Sequence, residues 1–275
     1  MFTISLFIIH ISVTMLGIYL YDYRIDGIIN SPLVIVLSIV VGLLVVLLYI
    51  LAYVEIFYIL VAKNKPINSK LKHRVANQLM AMPLYFTNTR IKVEGMENLP
   101  NDPGFSIYSN HTSMMDIPVF MVGLNKYPIA FLAKEVVGKL FGVGKWAISL
   151  GGIMIDRSND RKGAEAIINV IRNVKNGSTM VIFPEGTRTK EIGSLREFKT
   201  GSFKVALKSK APLVPITIVK PQNFNEIKWP LKKNIKIVVH KPIPFEEIKG
   251  VNSLDLSNRV RKIISKPLEM NQFKI

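Results

Sequence analysis

The chain begins with long apolar runs and then changes period. Residues 33–54, LVIVLSIVVGLLVVLLYILAYV, form 22 consecutive positions without a charge. At 1.5 Å per helical residue this stretch crosses a hydrocarbon core of roughly 30 Å. It is apolar on every face, which a helix in a soluble core seldom sustains at that length. An earlier run, residues 2–21, contains His10, several hydroxyls and a glycine. It predicts a first span, with a helix lying in or re-entering the interface as the alternative. It has neither a basic leading region nor a small-residue cleavage site, so it does not read as a secretory signal. DYRIDGIINSP is then the turn between two helices.

From about residue 68 apolar residues recur at helical spacing between basic ones, in SKLKHRVANQLMAMPLYF. This is either an amphipathic helix on a bilayer surface or an ordinary surface helix. Beyond it, TRIKVEG, FSIYS, PIAFLA, GIMID, TMVIFP, PLVPITI and NIKIVVH read as strands. KEVVGKLFGVGKWAISL, NDRKGAEAIINVIRNVKNG, TGSFKVALKSK and residues 253–268 read as helices. In the second of these, Asn159 or Asp160 caps the start and Gly177 ends it. Such alternation predicts an α/β fold: a mostly parallel mixed sheet flanked by helices, preceded by an N-terminal helical membrane anchor. The expected division is residues 1–65 for the anchor and 66–275 for the body.

Charge sharpens this division. Residues 1–62 carry one basic and three acidic side chains, whereas the rest carries 35 basic against 16 acidic. A body that basic attracts polyanions, whether anionic lipid, nucleic acid or an acidic protein. The cluster KNKPINSKLKHR after the long span predicts that the body stays on the cytoplasmic side. There is no cysteine, which excludes disulfides and thiolate catalysis. No pair of histidines has metal-ligand spacing, so no catalytic metal is expected.

Polar groups gather where strands end. FSIYS runs into Asn110 and His111, GIMID into Asp156 and Arg157, and TMVIF into PEGTRT. In open α/β sheets, sites form beyond the carboxyl ends of strands. His111 and Asp116 are five residues apart, about 140° around a regular helix, so one helical face cannot bring them together. They can meet if His111 lies on the turn after the strand and Asp116 in the first helical turn that follows. An imidazole held by a carboxylate can take a proton from a hydroxyl. Alone the pair is a weak signal, because Asp116 could simply cap a helix. In FPEGTRT, Arg188 offers a planar fork that fits phosphate, and Glu185 could hold that arginine or bind a substrate hydroxyl. Arg157 is a second candidate, and Lys199 stands at the start of a helix, where a phosphate also meets free N–H groups.

With these pieces in order, the chain resembles the lysophosphatidic acid acyltransferases (1-acyl-sn-glycerol-3-phosphate acyltransferases, the PlsC-like glycerolipid acyltransferases) over roughly residues 70–245. N-H-x4-D appears as Asn110, His111 and Asp116, and a glycine-led strand ending in arginine as GGIMIDR. F-P-E-G-T-R appears at Phe183–Arg188, and an apolar V-P-I strand around Pro215. The resemblance implies His111 as general base and Asp116 as its orienting partner. It also implies Arg157, Glu185, Gly186 and Arg188 as contacts to a phosphate-bearing acceptor, with Lys199 a further candidate.

The expected reaction is acyl transfer from a thioester, acyl-CoA or acyl carrier protein, to the sn-2 hydroxyl of lysophosphatidate, with membrane lipid as a partner and no nucleic acid. A thioester is already activated, so no protein nucleophile and no cofactor are needed. A backbone N–H near Gly151 or in the Pro184–Gly186 turn would serve the oxyanion. The alternatives are the same chemistry on another lysolipid or glycerol phosphate, a lipid hydrolase, and a membrane-anchored electrostatic binder.

Overall fold

A computed structural model describes residues 8–9, 11–17, 19, 32–156, 158–189 and 191–272. The chain divides into two compact units, Met1–Lys63 and Asn64–Ile275.

In the first unit, helix α1 runs from Pro32 to Phe57 and continues through one wider turn, Tyr58–Ala62. Its 26 residues extend about 39 Å. Among the described residues it is the one helix long and apolar enough to cross a membrane. Of the earlier apolar run, residues 11–17 are helical and Gly17 lies against Ser38. His10 and the turn at 21–31 fall outside the described residues, so the expectation of a first span there goes no further.

The second unit is built on a seven-stranded sheet ordered β1-β7-β6-β2-β5-β3-β4. The strands are β1 Thr89–Glu94, β2 Ser106–Ser109, β3 Ile129–Lys134, β4 Ile153–Ile155, β5 Thr179–Ile182, β6 Leu213–Val219 and β7 Lys233–Val239. All pairings are parallel except β6 with β7. β2, β5 and β6 are buried at every position, as central strands are when both faces of a sheet are covered.

Helices cover both faces. α2, Lys70–Phe86, is capped by the Ser69 side chain. It packs on the body through Val75, Ala76 and Leu84, with Lys72 and His73 buried among them. The Lys72 ammonium donates to the carbonyls of Lys65 and Ser149, the latter at a helix C-terminus, where a cation complements the dipole. α3 is Asp116–Gly123. The segment KEVVGKLFGVGKWAISL, read from sequence as one helix, is two: α4 Glu135–Gly138 and α5 Val143–Ser149. Gly142 has φ of +71°, which ends the first helical path and starts another. α6, Asp160–Lys175, is capped by Asn159 and followed by Gly177 at φ +83°. After a short 3₁₀ turn at Thr200–Phe203 come α7 Lys204–Ser209, α8 Phe245–Ile248 and α9 Ser253–Gln272. α9 buries Leu256, Val260, Ile264 and Leu268, a four-residue repeat along one helical face. Each such side chain contributes about 1.5–3 kcal/mol.

Candidate active site

The site forms where β2 leaves the sheet. Asn110, fully buried, uses its side-chain amide as a strand would use its backbone. Its Nδ2 donates to the Ile218 carbonyl at 3.0 Å and its Oδ1 accepts from the Ile218 N–H at 2.8 Å. β2 is thereby held against β6 beyond their last ladder pair, Ser109 with Ile216. The next residue, His111, is fixed at the carboxyl end of the sheet.

Asp116 opens α3 and turns back over its own loop. Its Oδ2 accepts from the N–H groups of Thr112 (2.7 Å) and Ser113 (2.8 Å) and from Nδ1 of His111 (2.9 Å). Its Oδ1 accepts from the ammonium of Lys220 at 2.8 Å. Burial alone would push this carboxyl up. The His111 hydrogen bond, the Lys220 charge and hydrogen bond, and the Ser113 N–H outweigh burial and hold it at about 2. A carboxylate only accepts, so Nδ1 of His111 carries a hydrogen, and in the neutral ring the lone pair is on Nε2. Nε2 has no hydrogen-bond partner among the described residues. The ring stacks on Phe183, centroids 4.2 Å apart and 16° from parallel, and its side chain is 18 % exposed.

Lys220 was not foreseen. It follows β6 directly, is 3 % exposed, and also donates to the hydroxyls of Thr112 and Ser113. The signal was present: PLVPITIVK is an apolar strand ending in a cation, the pattern already read at the ends of β2, β4 and β5.

The FPEGTRT turn follows β5. Gly186 has φ of +72°, and its N–H closes the turn onto the Phe183 carbonyl at 3.1 Å. Glu185, offered from sequence as a contact to a substrate hydroxyl or to an arginine, is 3 % exposed and has both oxygens taken by the chain. Oε1 accepts from the His111 N–H at 2.8 Å; Oε2 accepts from the Arg196 N–H at 2.9 Å and from the Thr189 hydroxyl. The Thr189 N–H in turn donates to the His111 carbonyl at 2.8 Å. Glu185 thus fastens the turn to the backbone of His111. Arg188 is exposed and makes no ion pair or hydrogen bond with another described residue. Arg157 lies outside the described residues. Lys199 is exposed, donates its N–H to the Pro184 carbonyl at 2.8 Å, and borders a cleft of 610 Å³. Phe183, Pro184, Gly186 and the aliphatic side chains of Ile155, Ile167 and Ile171 line the same cleft. In the two regions considered for an oxyanion donor, the Gly151 N–H donates to the Ile148 carbonyl and the Gly186 N–H to the Phe183 carbonyl.

A family model described as acyltransferase matches residues 90–219, which run from β1 to the end of β6. A 1-acyl-sn-glycerol-3-phosphate acyltransferase of Borreliella burgdorferi is 31 % identical over 188 residues, 68 % of this chain and 74 % of that one. The chain belongs to the 1-acyl-sn-glycerol-3-phosphate acyltransferase family. It is accordingly an acyltransferase. The Bacillus subtilis member is 30 % identical over 185 residues, 64 % of this chain and 89 % of its own. Another member, the chloroplastic LPAT1 of Arabidopsis thaliana, is 30 % identical over 212 residues, and this chain spans 56 % of its length. The fold is that of the crystal structure of the 1-acyl-sn-glycerophosphate acyltransferase PlsC from Thermotoga maritima. The TM-score is 0.65 at 23 % identity, over 83 % of this chain and 97 % of that one.

Proposed function

We propose that this acyltransferase moves a fatty acyl group from a thioester to the sn-2 hydroxyl of 1-acyl-glycerol-3-phosphate, giving phosphatidic acid. The observation that carries the reading is the His111–Asp116 pair, with Nε2 of the ring unpartnered and the open guanidinium of Arg188 on the adjoining turn. Nε2 takes the hydroxyl proton as that oxygen attacks the thioester carbonyl. The C–S bond then breaks, and the imidazolium returns the proton to the departing thiolate. Asp116 remains ionised throughout and steadies the imidazolium. A general base of this kind contributes on the order of 10²–10⁴-fold, and holding the acceptor by its phosphate supplies much of the rest. Arg188 is the first choice for that phosphate, with Lys199 and Arg157 as further candidates. Glu185 acts by bracing the turn.

The donor is acyl-CoA or an acylated carrier protein; either brings negative charge to a basic body. The Lys and Arg cluster at residues 63–74 favours a body facing the cytoplasm. The test is a panel of thioester donors and lysolipid acceptors with purified wild-type protein and H111A. Lysophosphatidate should be the preferred acceptor, and H111A should lose about 10²–10⁴-fold in turnover. A folded H111A that retains wild-type turnover ends the general-base assignment. Preference for glycerol phosphate or a lysophospholipid without a free phosphate reassigns the acceptor.

A further inference from the structure

Strand direction places several loops at one end of the sheet. β2, β3, β4, β5 and β6 run the same way, so their carboxyl ends lie together with His111. β7 runs against β6, and β1 runs with β7 in a register that pairs Thr89 with Lys233. The starts of β1 and β7 therefore lie at that same end. So do the end of α2, the loop before β7 and the α4–α5 hairpin after β3. The first two are joined directly: Asn88 donates from Nδ2 to the Pro230 carbonyl at 2.8 Å.

Within residues 64–272, four aromatic side chains are exposed: Tyr85, Phe86, Phe141 and Trp229. All four are on those loops. Phe141 is 73 % exposed and Trp229 74 %. Met114, exposed in the His111 loop itself, adds to the same rim. Cations flank the aromatics. Lys139 and Lys145 stand either side of Phe141, the Lys145 ammonium 5.9 Å from its ring centroid, and Lys228 and Lys232 bracket Trp229. A Cβ on Gly144 would lie 2.0 Å from the Gly138 carbonyl oxygen, so only glycine lets α4 and α5 cross this closely.

Tyr85, Phe86 and Trp229 stand at the β1–β7 edge of this end of the sheet and Phe141 stands after β3, toward the other edge. Apolar side chains exposed in groups and rimmed by polar residues mark interaction surfaces. Rings that sit at headgroup depth, interleaved with lysines, suit an anionic bilayer, where apolar burial and charge act together. We propose that this rim is the face by which the catalytic body docks on an anionic lipid surface, presenting the mouth of the His111 site to the bilayer. Its purpose rests on the lipid-acceptor reading above; its detection does not.

The chain has no cysteine, so single-cysteine variants can be labelled without background. F141C and W229C, each carrying an environment-sensitive fluorophore, are reconstituted as full chains into phosphatidylcholine–phosphatidylglycerol vesicles. L254C serves as control; Leu254 is exposed on α9, past the end of β7 and so at the opposite end of the sheet. Blue-shifted emission and quenching by spin-labelled lipid at 141 and 229, but not at 254, is the expected result. Water-like emission at 141 and 229 overturns the proposal, and a shift only on adding an acidic acyl carrier protein reassigns the rim as a protein interface. The double variant F141S/W229S should lose at least roughly tenfold in activity on vesicle-borne acceptor. It should keep its activity on a short-chain acceptor dissolved below its micelle concentration. Equal loss on both would overturn docking as the rim's role. Absence of any transferase activity in wild type would instead refute the lipid-acceptor reading, and the fluorescence result would stand.

Discussion

The ammonium of Lys220 and the carboxylate of Asp116 lie 2.8 Å apart, both withdrawn from solvent. Asp116 is thus shared between the ammonium of Lys220 on one oxygen and the imidazole of His111 on the other. The ammonium favours the charged carboxylate and ties down the loop that carries the imidazole.

K220M keeps the length of the side chain and removes its charge. Leaving the buried carboxylate without its cation should cost up to about 3–5 kcal/mol of stability, read as a lower thermal midpoint. Turnover should fall while the KM for the acceptor stays put, because the cation touches the dyad and not the phosphate. K220R should recover part of both. A K220M protein with wild-type midpoint and turnover would show the ion pair to be idle.

Two groups set distinct acid windows. Burial lowers the His73 imidazole to about 4, against a rise from its hydrogen bond to the Ile67 carbonyl and a further lowering by Lys72. The unfolded chain therefore binds more protons than the folded one between about pH 6.5 and 4, and stability of about 3 kcal/mol is lost as pH falls through that range. Asp116, held at about 2, behaves as a depressed acid: its contribution of about 2 kcal/mol is complete above the unfolded value near 4 and is lost between there and about pH 2. Denaturant titrations from pH 7 to 3 should show the first loss in wild type and a flatter slope above pH 4 in H73Q. An unchanged slope in H73Q would place the acid sensitivity elsewhere.

Arg188 should act on acceptor binding. Removing a charge-assisted contact worth about 1.5–3 kcal/mol raises the acceptor KM by roughly 10–150-fold in R188A. R188K restores charge without the planar fork and should recover only part of the loss. Saturation by lysophosphatidate at the wild-type concentration in R188A would remove this residue from the phosphate contact.

The sheet was legible because its central strands are short apolar runs bounded by turn residues, and period and punctuation suffice for those. The break of one expected helix into α4 and α5 was not, although Gly142 stands in the sequence; a single glycine inside a helical pattern is usually tolerated, and only the close Gly138–Gly144 crossing makes the break worthwhile. At the site, spacing ruled His111 and Asp116 off a common helical face and required the turn geometry that is observed. The cation that ends PLVPITIVK marked Lys220 as a strand-end group but not as a partner of Asp116, because it follows β6, more than a hundred positions along the chain, and the pairing of β2 with β6 that brings it in is tertiary. The burial of Glu185 was equally out of reach, since two of its three partners are backbone N–H groups, which nearly every residue type supplies.

Glu185 grips the amide of His111 with one oxygen and that of Arg196 with the other. The turn that carries Arg188 and the loop that carries His111 are therefore fastened together through one buried carboxylate. On the proposed reading, a phosphate seated on Arg188 would load the same scaffold that holds the imidazole, so an acceptor stripped of its phosphate should turn over more slowly even at saturation.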